Sequence, residues 1–152
     1  MNGVKLFLAG AFLLPATLAF GADVAPDAVK FEDNAVVASL TGAAGDPVAG
    51  AAVFKDRSLG NCLACHANQD MQQDLFHGNV GPSMDGVAGR WTPEELRAIV
   101  ADAKKVFGDQ TMMPGFYSLN VGLTVREDLV GKTVLNAQQV EDVVAYLATL
   151  KE

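Results

Sequence analysis

A chain of 152 residues, half of them hydrophobic, is long enough for one compact domain with a single core but short for two. Eleven Lys and Arg face 18 Asp and Glu, a formal charge of −7, so phosphate is repelled and nucleic acid is a poor partner. The chain also lacks a basic amphipathic stretch that could hold a membrane face.

Residues 1–21 read as a cleaved export signal. Lys5 supplies the positive start, Leu6 to Leu14 the apolar run, and Ala19-Phe20-Gly21 a small-x-small cleavage site. A retained membrane anchor fits less well, because the apolar run is short and interrupted by Pro15 and Thr17. Cleavage after Gly21 places the mature chain in a bacterial periplasm, without stable membrane insertion. Losing Lys5 leaves ten cationic residues against 18 acidic ones, or −8, which suits a protein partner with a positively charged patch.

Residues 22–45 are rich in Ala, Val and Asp without a clean period and predict an extended N-terminal arm. Asp46-Pro47 marks a helix start, with Pro at the first helical position, and the helix is expected to run to about Ser58. Gly50 and Phe54 share one of its faces.

Cys62-Leu63-Ala64-Cys65-His66 then spells C-x-x-C-H. Two thiols three residues apart on one turn can add to the two vinyl groups of one porphyrin, leaving the adjacent imidazole as an axial iron ligand. In an oxidising compartment the ordinary alternatives are a disulfide or a thioredoxin-like redox pair, but neither requires His66. The flanks, Gly60-Asn61 and Ala67-Asn68, do not form the strand, turn and helix that the redox motif needs. Zinc wants four ligands, and His77 is the only other histidine. One covalently attached haem c is therefore the expected cofactor, held by Cys62 and Cys65.

Residues 67–81 lack periodicity and should loop around the porphyrin edge, punctuated by Gly78, Gly81 and Pro82. Thr92, Pro93 and Glu95 form a capping-box start, and Leu96, Ile99 and Val100 line one face of the helix that follows. Lys104 and Lys105 near its end complement the helix dipole, and Glu95 and Asp102 are expected on its solvated face. Residues 121–134 predict a short hairpin or an irregular loop. A last helix begins at Asn136, with Gln139 three residues on, and presents Val140, Val143, Val144 and Leu147. These elements describe a small all-α domain over 46–152 whose core a flat apolar cofactor completes.

Axial ligation sets the redox behaviour. His66 takes one face of the iron, and its other ring nitrogen should donate to a backbone carbonyl, with that of Pro82 the candidate. For the opposite face, Met112-Met113-Pro114 offers two thioethers, and a neutral, polarizable sulfur raises the potential relative to a second imidazole. Met113 is the first choice, Met112 the second, and His77 a competitor otherwise expected to be a solvent-exposed loop residue. Met71 and Met84 are assigned to core filling. No catalytic triad or phosphate-binding loop is present.

Gly50, Phe54, Cys62 to His66, Pro82, Met113 before Pro114, and Tyr146 together resemble the class I cytochrome c family. The resemblance implies an all-α single haem domain, here with an N-terminal extension, in which the first and last helices cross at the Gly among aromatic side chains. More narrowly, the strings Gly60–His66, Gly78–Ser83, Leu96–Val100, Thr111–Tyr117 and Gln138–Leu147 resemble the SoxX family of monohaem cytochrome subunits. That resemblance implies a heterodimer with SoxA in a thiosulfate-oxidising complex, an L-cysteine S-thiosulfotransferase. The complex joins thiosulfate to a cysteine of the carrier SoxYZ and passes electrons to a soluble cytochrome c. It also implies that the reactive centre lies on SoxA and that this chain is a non-catalytic electron-transfer subunit. Both cysteines here are spent on thioether bonds, which leaves no thiol nucleophile. A free periplasmic electron shuttle to a terminal oxidase or another dehydrogenase, and a thiol protein without haem, are the remaining readings.

Overall fold

The computed structural model describes residues 21–151, so the expected signal segment lies almost wholly outside the described residues. Four helices carry the fold: α1 over Pro47–Lys55, α2 over Val87–Arg90, α3 over Pro93–Phe107 and α4 over Ala137–Leu147. Single 3-10 turns punctuate the connections, and among the described residues the only β pairing is an isolated bridge between Glu32 and Ala35. The expected all-α architecture is therefore present.

Both long helices start as their sequences direct. The Thr92 side chain accepts from Glu95 N–H while the Glu95 carboxylate accepts from Thr92 N–H, and Asn136 and Gln139 repeat the exchange at α4. Asp46 caps α1 by accepting from Val48 N–H and Ala49 N–H. That helix stops at Lys55, three residues short of the expected Ser58. The Asp56 carboxylate accepts from the amide and hydroxyl of Ser58, and this local turn outcompetes another helical turn.

α1 crosses α4 at Gly50, and Gly45 just before α1 packs on the same helix. A Cβ at Gly50 would run into the Asp142 backbone carbonyl and lie 2.9 Å from the Tyr146 Cβ, and one at Gly45 would meet the Glu141 carbonyl. Phe54 and Tyr146 pack edge to face beside the crossing, ring centroids 5.5 Å apart. Val140, Val143, Val144 and Leu147 of α4 are all buried, as their spacing predicts, and Met71 and Met84 join the same core.

The N-terminal segment is not a free extended arm. Asp33 and Asn34, both left-handed, reverse the chain so that Glu32 and Ala35 exchange backbone hydrogen bonds, and Val24 N–H reaches Leu40 C=O. Val36 and Leu40 are buried in the core. The segment is fastened by Arg97 of α3 and Glu141 of α4, a buried two-pronged ion pair at 2.9–3.1 Å. Arg97 also donates to Val36 C=O at 2.8 Å, and Glu141 accepts from Leu40 N–H at 2.7 Å, so both charges have their partners.

α3 departs from expectation at Asp102, where φ −155° and ψ 92° interrupt the helix. The expected solvated face is instead a break. The Asp102 carboxylate accepts from Lys104 N–H, and the carbonyls of Val100 and Ala101 take Phe116 N–H and Tyr117 N–H from beyond the helix. Residues 121–134 form an irregular loop with one 3-10 turn at Glu127–Leu129, and no hairpin.

Candidate functional site

The Cys62–Ala64 turn opens on Asn61, held left-handed at φ +49°, a conformation Asn tolerates. Cys65 N–H and His66 N–H both return to Cys62 C=O, which sets the two thiols and the imidazole on one tight turn. Cys62 is half-buried and Cys65 exposed, and the two are not joined to each other. Burial pushes the Cys62 thiol up to about 12. Cys62 is therefore a thiol rather than a thiolate at neutral pH.

His66 Nδ1 donates to Pro82 C=O at 2.7 Å, the partner expected from sequence. The donation fixes the tautomer and leaves Nε2 with its lone pair free for a metal. Gly81 packs against the same ring so closely that a Cβ there would overlap Cε1, and Gly81 N–H bonds Cys65 C=O at 2.9 Å. Gly78 likewise abuts the Ala64 carbonyl, and its N–H bonds Leu63 C=O. The two glycines, expected only as punctuation, form the wall behind the motif. Their signal in the sequence was Gly81 directly before Pro82.

A buried polar cluster ties the following loop to α4. Asn68, 1% exposed, donates from Nδ2 to the Tyr146 hydroxyl, and that hydroxyl donates to Asp70. Burial and the Asp70 hydrogen bond raise the Tyr146 phenol above its ordinary range. His77 accepts from Asn68 N–H at Nδ1 and donates from Nε2 to Met71 C=O at 3.1 Å. It is thus a half-buried structural residue with both ring nitrogens engaged, rather than an exposed loop histidine, and it has no free lone pair for iron. Asp85 accepts from Gln69 N–H and Ser83 O–H, bonds that hold its carboxyl below the usual range.

The two candidate thioethers differ sharply in placement. Met112 is 82% exposed, whereas Met113 is half-buried and packs on the core. Residues on both sides are tethered. Lys104 Nζ donates to Thr111 C=O at 2.8 Å, Phe116 and Tyr117 donate to α3, and the Tyr117 hydroxyl donates to Val24 C=O at 2.6 Å.

These residues fit a covalently bound haem: two unpaired thiols on one turn, an imidazole preset with Nε2 free, and a thioether loop folded inward.

The cytochrome c family model matches residues 47–151. The chain is also similar to a chain of the crystal structure of SoxXA from P. pantotrophus, with 43% identity, coverage of 86% of this chain and 100% of that one, and a TM-score of 0.79. No curated protein sequence matches. Haem c, covalently bound through the C-x-x-C-H motif, follows as the cofactor. No helix among the described residues is long and apolar enough to cross a membrane.

Proposed function

Because this chain belongs to the cytochrome c family and, within it, to the SoxX branch, we propose that it is the monohaem electron-transfer subunit of a periplasmic SoxXA-like complex. The carrying observation is the 43% identity to a SoxXA chain along that chain's whole length. SoxA is the partner, and the complex couples thiosulfate to a cysteine of SoxYZ. The cysteine thiol loses its proton, a sulfur–sulfur bond forms to thiosulfate, and two electrons leave, one at a time, ending on a soluble cytochrome c.

Haem c supplies the one-electron ferric/ferrous couple in this scheme. The chain's own residues set its conditions. Cys62 and Cys65 would hold the haem by thioether bonds and His66 Nε2 would ligate its iron, while Pro82 C=O orients the imidazole and raises its basicity. Met113 would supply the second iron ligand, a reading its half-buried placement beside an exposed Met112 supports. Neither cysteine is left as a nucleophile, so the sulfur chemistry belongs to the partner and this subunit is non-catalytic. Exposed Met112 marks a loop suited to contact with SoxA. The cleaved leader over 1–21, the 22–45 arm and the 46–152 haem domain make up the chain in this reading.

Size-exclusion chromatography of the native protein from thiosulfate-grown cells, followed by haem absorbance, tests the assignment. Co-elution with a second, larger cytochrome is expected. Elution alone at monomer size overturns the stable-subunit reading in favour of a free shuttle.

A further inference from the structure

The break in α3 has a place in the redox site. At Asp102 the helix opens, and the Asp102 carboxylate captures Lys104 N–H at 3.2 Å, the amide that an unbroken helix would return to Val100 C=O. Val100 C=O accepts from Phe116 N–H at 3.2 Å, and Ala101 C=O from Tyr117 N–H at 3.0 Å. Those donors lie three and four residues after Met113. The same carboxylate bears on the loop directly: a Cβ on Gly115 would sit 3.0 Å from Asp102 Cγ and Oδ1 and 2.8 Å from Ser118 Cβ. Ahead of the methionines, Lys104 Nζ holds Asp109 C=O and Thr111 C=O at 3.3 and 2.8 Å. The Met112–Met113–Pro114 segment is thus strung between anchors on the distorted end of α3, and Asp102 is the residue whose side chain stabilises that distortion.

We propose that Asp102 is a positioning residue for the Met113 thioether, holding α3 open so that its freed carbonyls and its carboxylate fix the Met113 loop. The inference rests on the reading of Met113 as distal ligand. Alanine at 102 offers no acceptor to Lys104 N–H and favours helix, so the Val100 carbonyl reverts to an intrahelical partner and the loop loses its hold. Asparagine keeps a side-chain oxygen at the same place and caps as well as aspartate.

The test uses the ferric holoprotein and reads the deep-red charge-transfer band of thioether-ligated haem, together with imidazole binding at the iron. In Asp102→Ala the band should weaken and imidazole should bind about tenfold more tightly, equivalent to ~1.4 kcal/mol of lost positioning. Asp102→Asn should stay close to wild type. Gly115→Ala, which leaves Asp102 in place but pushes a methyl against its carboxylate, should weaken the band in the same direction. If Asp102→Ala fails to fold, the Gly115→Ala and Asp102→Asn pair decides the matter. A wild-type band that Asp102→Ala and Gly115→Ala leave unchanged overturns the proposal alone. A wild-type protein without the band overturns the Met113 reading beneath it.

Discussion

The two sides of the candidate haem site are built by different means. On the His66 side the direct supports of the imidazole are local: Pro82 C=O, Gly81 and Gly78 lie within 16 residues of the imidazole or its motif, and only the loop after it reaches α4, through Asn68 and Tyr146. On the Met113 side the supports come from a separate element, the broken end of α3 5 to 16 residues away, and from the N-terminal segment, with Tyr117 reaching Val24 across 93 residues. The imidazole side should therefore survive perturbations that loosen tertiary packing, and the thioether side should report them.

Removing a remote anchor should separate the two sides most strongly. Arg97→Ala leaves the Glu141 carboxylate buried without its cation and is expected to cost about 3–5 kcal/mol in denaturant unfolding. Covalent haem should be retained in full, while the deep-red thioether band weakens. Next, Gly81→Val attacks the local side by driving a side chain into the His66 ring, with a loss of about 3 kcal/mol and a partly high-spin ferric spectrum. A low-spin spectrum equal to wild type would break the contrast from this side.

Within the distal loop, Met113→Ala should lower the reduction potential by roughly 100 mV, part of the ~0.8 V that axial ligands span. Met112→Ala, at an exposed position, should leave it unchanged in the same potentiometric titration.

The smallest effect is expected at Tyr146→Phe, which leaves the Asn68 amide buried and unpaired at a cost of about 1–2 kcal/mol at neutral pH. The Tyr146 phenol is raised by burial first and the Asp70 bond second. A raised value means that its stabilisation is complete below the ordinary phenol range, about pH 10, and is lost as pH climbs through the folded value. The gap between wild type and variant should therefore narrow above about pH 10. Unfolding curves that stay parallel from neutral to alkaline pH would contradict this account of Tyr146.

The same division explains what could be read from the chain. The C-x-x-C-H turn, the Pro82 acceptor and both capping boxes rest on neighbours a few to 16 residues away, and the buried faces of α3 and α4 show in their own helical period, so their patterns carry them. The docked N-terminal segment was not legible, because Leu40 meets Glu141 across 101 residues and neither residue signals the other. Asp102 looked like a surface acid on a periodic helix, and only the return of Phe116 and Tyr117 reveals the break. The structural role of His77 is illegible for a related reason, since a histidine in an aperiodic loop gives no sign of a buried Asn68 beside it.

Near-infrared magnetic circular dichroism of the ferric holoprotein tests the central claim most directly, because it separates histidine–methionine from bis-histidine ligation. The account predicts the histidine–methionine signature in the wild-type protein, formed by His66 and Met113. A bis-histidine signature, which would require His77 to abandon both Asn68 and Met71, would contradict it.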